Sequence, residues 1–185
     1  MRYKLFWCIP LWILFIAQQA YSQVVWRSVA GSIHFTSDAP LELIEAQSNE
    51  LKGILKPSDG SFAFAVEISS FQGFNSALQR EHFNENYLES HRYPKATFAG
   101  RIIEDVDFSR PGTYTIRAKG VLTVHGIEHE RIIRSEVVLT QNELRLTSAF
   151  TVPLADHHIS IPHIVHQKIA EEINVKVSAV FKQVP

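Results

Sequence analysis

The feature that most constrains this chain is a side-chain alternation of period two that recurs in four separate stretches. Ser61 to Ile68 reads SFAFAVEI, with Phe62, Phe64, Val66 and Ile68 on one face and Ser61, Ala63, Ala65 and Glu67 on the other. Tyr114, Ile116, Ala118, Gly120, Leu122 and Val124 share a second such face, opposite Thr115, Arg117, Lys119 and Thr123. Leu144, Leu146, Ser148, Phe150, Val152 and Leu154 make a third, and Ile173, Val175, Val177, Ala179 and Phe181 a fourth. Successive strand residues point to opposite sides, so each stretch predicts a half-buried β-strand. Less regular strands are expected at Ser32–Thr36, Leu41–Gln47, Glu50–Leu55, Thr97–Ile103 and Arg131–Leu139.

Turn residues separate these runs. Ser37-Asp38-Ala39-Pro40, Lys56 to Gly60, Arg110-Pro111-Gly112 and Gln141-Asn142 each suit a hairpin or loop. Many strands at short spacing predict an antiparallel barrel or sandwich. A barrel is favoured, because closure removes the edges that long apolar strands would expose. The expected fold is therefore mainly β, an antiparallel barrel of about eight strands with one or two short helices. Gly120 in mid-strand predicts a bulge or sharp bend. Asn75 to Ser90 reads as a helix with Asn75 as N-cap, ending before Pro94. Pro162 to Glu172 reads as a second helix, striped by Ile164, Val165 and Ile169.

The first residues set the compartment. Arg2 and Lys4 precede an uncharged apolar run, Leu5 to Ala17, and Ala20-Tyr21-Ser22 offers a small-residue cleavage site. Residues 1–22 are expected to be a signal peptide, and 23–185 one domain in the periplasm or the medium. The run falls short of the roughly 20 apolar residues of a comfortable span, so no permanent membrane anchor is expected after cleavage. Loss of Arg2 and Lys4 takes the balance from 18 basic against 19 acidic residues to 16 against 19, three net negative charges. No basic stripe stands out, which argues against nucleic acid. Cys8, the single cysteine, leaves with the leader, so the mature chain has no thiol nucleophile or thiolate ligand. There is no nucleophile elbow, phosphate loop or dinucleotide fingerprint, so no enzyme chemistry and no cofactor are expected.

Histidine carries the remaining polar interest. His157 and His158 are adjacent, and His163 and His166 are three apart. A metal site is conceivable for such a group, but without HExxH or paired cysteines none is expected. Glu81, His82, Asn84 and Glu85 read as a solvated helix face. His125 precedes Gly126 at a strand end, where it either fixes the turn or touches a ligand head group at a cavity mouth.

Several blocks resemble the YceI-like polyisoprenoid-binding family: Gly31 to Phe35, Ser69-Ser70-Phe71, Glu81 to Leu88, Tyr93 to Gly100 (YPKATFAG), Gly120 to Ile127 (GVLTVHGI), Phe150-Thr151-Val152 and Ile159 to Pro162. They follow the family's order across nearly all of the mature chain. The resemblance implies a lipocalin-like barrel whose interior holds a polyisoprenoid or another long-chain apolar lipid such as a quinone. The inward-facing strand residues then supply the expected tunnel lining, Phe35, Phe62, Phe64, Val66, Phe98, Tyr114, Ile116, Leu122, Phe150 and Phe181, with His125 as the candidate at the mouth. From pattern alone, the small inward residues Ala118, Gly120, Ser148 and Ala179 suit a cavity and a filled core equally. A secreted stress-response or interaction module with a packed barrel is thus the competing expectation. The oligomeric state is open between monomer and homodimer.

Overall fold

The computed structural model describes residues 24–184; the expected leader lies outside them. Nine strands run in chain order: β1 (Val25–Asp38), β2 (Leu43–Ser48), β3 (Lys52–Lys56), β4 (Ser61–Glu67), β5 (Lys95–Ile102), β6 (Gly112–Val124), β7 (Ile127–Leu139), β8 (Leu144–Pro153) and β9 (Glu172–Val184). All pairings between these strands are antiparallel. β2 pairs with the second half of β1, from Ile33 to Asp38, while β3 pairs with Trp26 and Arg27. These two short strands lie end to end and share one position. β1 also pairs with β9 from Val25↔Val184 to Thr36↔Asn174. The sheet is thereby a closed ring of eight positions.

β1 is longer than the sequence suggests, and its register shows why. The pairing with β9 slips between Ser28 and Ala30, leaving Val29 as an exposed bulge residue. Before the bulge Trp26 points inward; after it, Ile33, Phe35 and Ser37 do. One extra residue exchanges the two faces of a strand, which erases a continuous alternation. Gly120, by contrast, marks no bulge. It sits directly opposite Gly100 in an unbroken β5–β6 register. A Cβ on Gly120 would stand 2.4 Å from the Ala99 carbonyl oxygen, and one on Gly100 would stand 2.1 Å from that of Lys119. Only glycine lets the two backbones approach this closely.

Among the described residues one short α-helix is present, α1 (Ala77–His82), capped by Ser76, whose hydroxyl accepts from the Gln79 amide. Ser76, not Asn75, is the N-cap; the Asn75 side chain instead donates to the Leu43 carbonyl, tying the helix start to β2. Phe83–Tyr87 continues α1 as a wider π-turn, with the Leu88 amide bonded to the Phe83 carbonyl. The second expected helix does not form. Only a 3-10 turn exists, at His163–Val165. The Gln167 carbonyl accepts from the Leu41 amide, and the Ala170 amide donates to Ser37 Oγ, so the backbone groups that would extend a helix are tied to the barrel rim.

The ring is filled at one end. Trp26, Leu55, Phe62, Val137, Leu139, Leu144 and Phe181 pack there into the largest buried cluster. The other end is roofed by α1, its π-turn and the segment 68–76, through a smaller cluster that includes Phe71.

Candidate ligand cavity

Between the packed base and the roof the barrel is hollow. A cavity of about 440 Å³ lies under the roof, and a narrower one of about 100 Å³ continues toward the base. They share Ile33, Val66, Ala96, Leu122 and Phe150 in their walls, so they adjoin as an upper and a deeper stretch of the barrel interior. Its volume falls within the roughly 300–1,000 Å³ typical of small-molecule sites. In the deeper stretch the only polar side chains are the hydroxyls of Thr97, Ser135 and Ser148. Such a wall offers apolar contact and almost no hydrogen bonding, so it favours a hydrocarbon over a polar solute.

The upper stretch is built around stacked phenylalanines. Phe35, from β1, lies 5.5 Å from Phe71, 5.9 Å from Phe74 and 5.4 Å from Phe83, ring centre to ring centre. Each partner comes from the roof rather than the ring. Deeper, Phe62 meets Phe98 at 5.0 Å and Phe64 meets Phe181 at 5.8 Å. Polar groups gather only at the roof side, where Glu42, Gln79, His82, Tyr87 and Lys168 line the wall. Burial pushes the Tyr87 phenol above its ordinary value, which keeps it neutral.

Of the residues assigned to the lining, Phe35, Phe62, Phe64, Val66, Phe98, Ile116, Leu122, Phe150 and Phe181 all face this space. Tyr114 does not. It packs against the base cluster, and its hydroxyl donates to the Arg110 carbonyl at 2.7 Å. The sequence reading also missed the roof residues Phe71, Phe74 and Phe83, because they belong to irregular segments with no strand period to place them.

His125 stands outside the lining too. It forms with Gly126 the two-residue turn between β6 and β7, both in the left-handed region. Its Nε2 lies 2.7 Å from Glu89 Oε2 and its Nδ1 lies 3.2 Å from the His157 carbonyl, leaving neither nitrogen for a ligand. That contact holds the Glu89 carboxyl below its ordinary range. Glu89 and His158 are the other non-glycine residues of positive φ among those described. The Glu89–His125 contact fastens the end of the roof to the β6–β7 turn.

The histidine group is dispersed by the fold. His157 is fully buried, His158 is exposed, and the His163 and His166 rings are exposed and 4.8 Å apart. Among the described residues no three of His, Cys, Asp and Glu are placed to hold a metal ion.

The closed antiparallel barrel, packed at one end and apolar within, belongs to the architectural class of small eight-position β-barrels. A model of the YceI-like domain matches residues 23–181, and the chain belongs to that family. Solved structures share the fold. A polyisoprenoid-binding domain from Saccharophagus degradans, implicated in plant cell wall breakdown, superposes with a TM-score of 0.73 at 14% identity, covering 86% of this chain and 98% of its own. BcnA of Burkholderia cenocepacia gives 0.67 at 14% identity, over 81% of this chain and 95% of its own. The YCEI protein of Campylobacter jejuni gives 0.59 at 12% identity, over 77% and 85%. No curated protein sequence matches this one.

Proposed function

We propose that this protein binds an elongated apolar lipid, a polyisoprenoid or quinone-like amphiphile, inside the barrel, and serves outside the cytoplasm as its carrier or reservoir. The single observation that carries this reading is the pair of apolar cavities between the roof and the base cluster, with five residues common to their walls. The family and the polyisoprenoid-binding neighbour support it, and the leader-like N-terminus supports export. The lining of the deeper stretch is hydrocarbon with three hydroxyls, which favours holding a ligand over transforming it.

Energetics set the kind of specificity. Each buried methylene contributes about 0.8 kcal/mol, so a long chain would nominally pass the affinity ceiling near −18 to −21 kcal/mol. The ordering of a floppy chain offsets much of that gain. Affinity should thus follow chain length and fit to the tunnel.

Native mass spectrometry of protein purified without detergent tests the proposal. A retained apolar molecule, exchangeable with added polyprenols of graded length, is the expected result. Protein that emerges empty and takes up neither polyprenols nor quinones would indicate the packed interaction module instead.

A further inference from the structure

The barrel wall is incomplete at one place. β7 and β8 pair only from Leu139↔Leu144 to Ser135↔Ser148, although β7 runs back to Ile127 and β8 on to Pro153. Beyond that point the strands part, and their freed carbonyls are met by side chains. Ser148 Oγ donates to the Arg134 carbonyl at 2.8 Å, and Arg131 Nη2 to that of Thr151 at 2.6 Å. Unpaired strand edges are costly, so capping one carbonyl on each strand marks the split as a built feature rather than a frayed edge.

A slot of about 440 Å³ opens on the outer surface at the fork. Ser135, Ser148 and Val177 line both this slot and the deeper cavity, so the wall between them is one side chain thick. Ile133 and Phe150, just past the last pair, face the cavity. Two cations, Arg134 and Lys176, line the slot, and Ala149 between them leaves room. Among the described residues neither makes an ion pair. Arg117, the register partner of Arg134, is paired with Glu104 at 2.7 Å. Glu136 also lines the slot, and the balance of charge there is positive.

We propose that this split holds the anionic head group, phosphate or carboxylate, of an amphiphile whose chain runs between Ile133 and Phe150 into the barrel. The inference rests on the barrel holding a lipid. Unpaired cations beside an apolar cavity suit a ligand with one charged end, and a charge-assisted contact there adds what the deeper stretch lacks, discrimination between head groups.

Geranylgeranyl phosphate and geranylgeraniol, which share a chain and differ at the head, provide the test. The native protein should bind the phosphate about tenfold or more tightly than the alcohol. The double variant R134Q/K176Q should lose that preference and keep its affinity for the alcohol, and K176Q alone should lose part of it. Both side chains are outward and exposed, and circular dichroism checks the fold of each variant. Inorganic phosphate should neither bind at comparable strength nor displace the lipid. An unchanged preference in the double variant, equal loss for both lipids, or competition by inorganic phosphate would overturn the slot while leaving the tunnel intact. Failure of the native protein to bind either lipid would remove the tunnel reading and the slot with it.

Discussion

His157 donates its Nδ1 proton to the carbonyl of Ile127 at 3.1 Å, and its Nε2 is buried with no partner at all. A carbonyl only accepts, so the contact fixes the neutral tautomer with its lone pair on Nε2. Burial is the main cause that depresses the basicity of this ring below the ordinary value of 6.5. The unfolded chain therefore takes up a proton here before the folded one does. Stability from this residue should be complete above pH 6.5 and decline as the pH falls below it. The Glu89 carboxyl, depressed by its His125 contact, adds a second loss as the pH falls below 4.5. Urea midpoints measured downward from neutral pH should show both phases. The variant H157L should lack the first and be less stable at neutral pH by about 1 kcal/mol, the net worth of the lost hydrogen bond.

Trp26 is 1% exposed and belongs to the base cluster, lining neither stretch of the cavity. Its emission should be blue-shifted and nearly indifferent to added lipid. A tryptophan placed by F74W, among the rings of the roof, should respond strongly. A large Trp26 response in the native protein would mean that the ligand reaches or rearranges the base.

Ala96 lies at the waist where the two stretches of cavity meet. Substitution A96F should block the passage and keep the fold. Excluding a few methylenes at about 0.8 kcal/mol each predicts at least a tenfold weaker hold on long chains. Short prenols that fit under the roof should be spared. Competition against a fluorescent fatty acid, run with prenols of graded length, measures the difference.

Gly120 tolerates no side chain without moving a strand, since its absent Cβ would meet the Ala99 carbonyl oxygen at 2.4 Å. G120A should cost about 1–3 kcal/mol by overpacking, read as a lower urea midpoint. The exposed V121A next to it should change stability little.

The strands with clean alternation were legible because each is flat, regular and wet on one side, as Phe62 to Val66 and Leu144 to Val152 are. β1 was legible only in part, since the bulge at Val29 reverses its parity. The stretch after Pro162 has helical spacing, yet bonds to Ser37 and Leu41, far away in sequence, decide its course. Tyr114 shows the limit for the site. Parity placed it on the inner face, but parity says nothing of depth, and its ring lies at the filled end. The roof phenylalanines escaped notice because burial there comes from the roof folding back over β1, which no local period records. The split between β7 and β8 is invisible in sequence, because both strands read as regular where they part.

The pairing of β1 with β9 makes closure depend on a strand more than 130 residues away in sequence. Until Glu172–Val184 is available, β1 and β8 are two bare edges of an open, curled sheet whose apolar lining faces solvent. Joining residues near opposite termini is slow, because the whole intervening loop must be ordered first. Synthesis from the N-terminus thus leaves the sheet open until the thirteen residues of β9 appear, and the enclosed interior comes into being in the same step that seals the barrel.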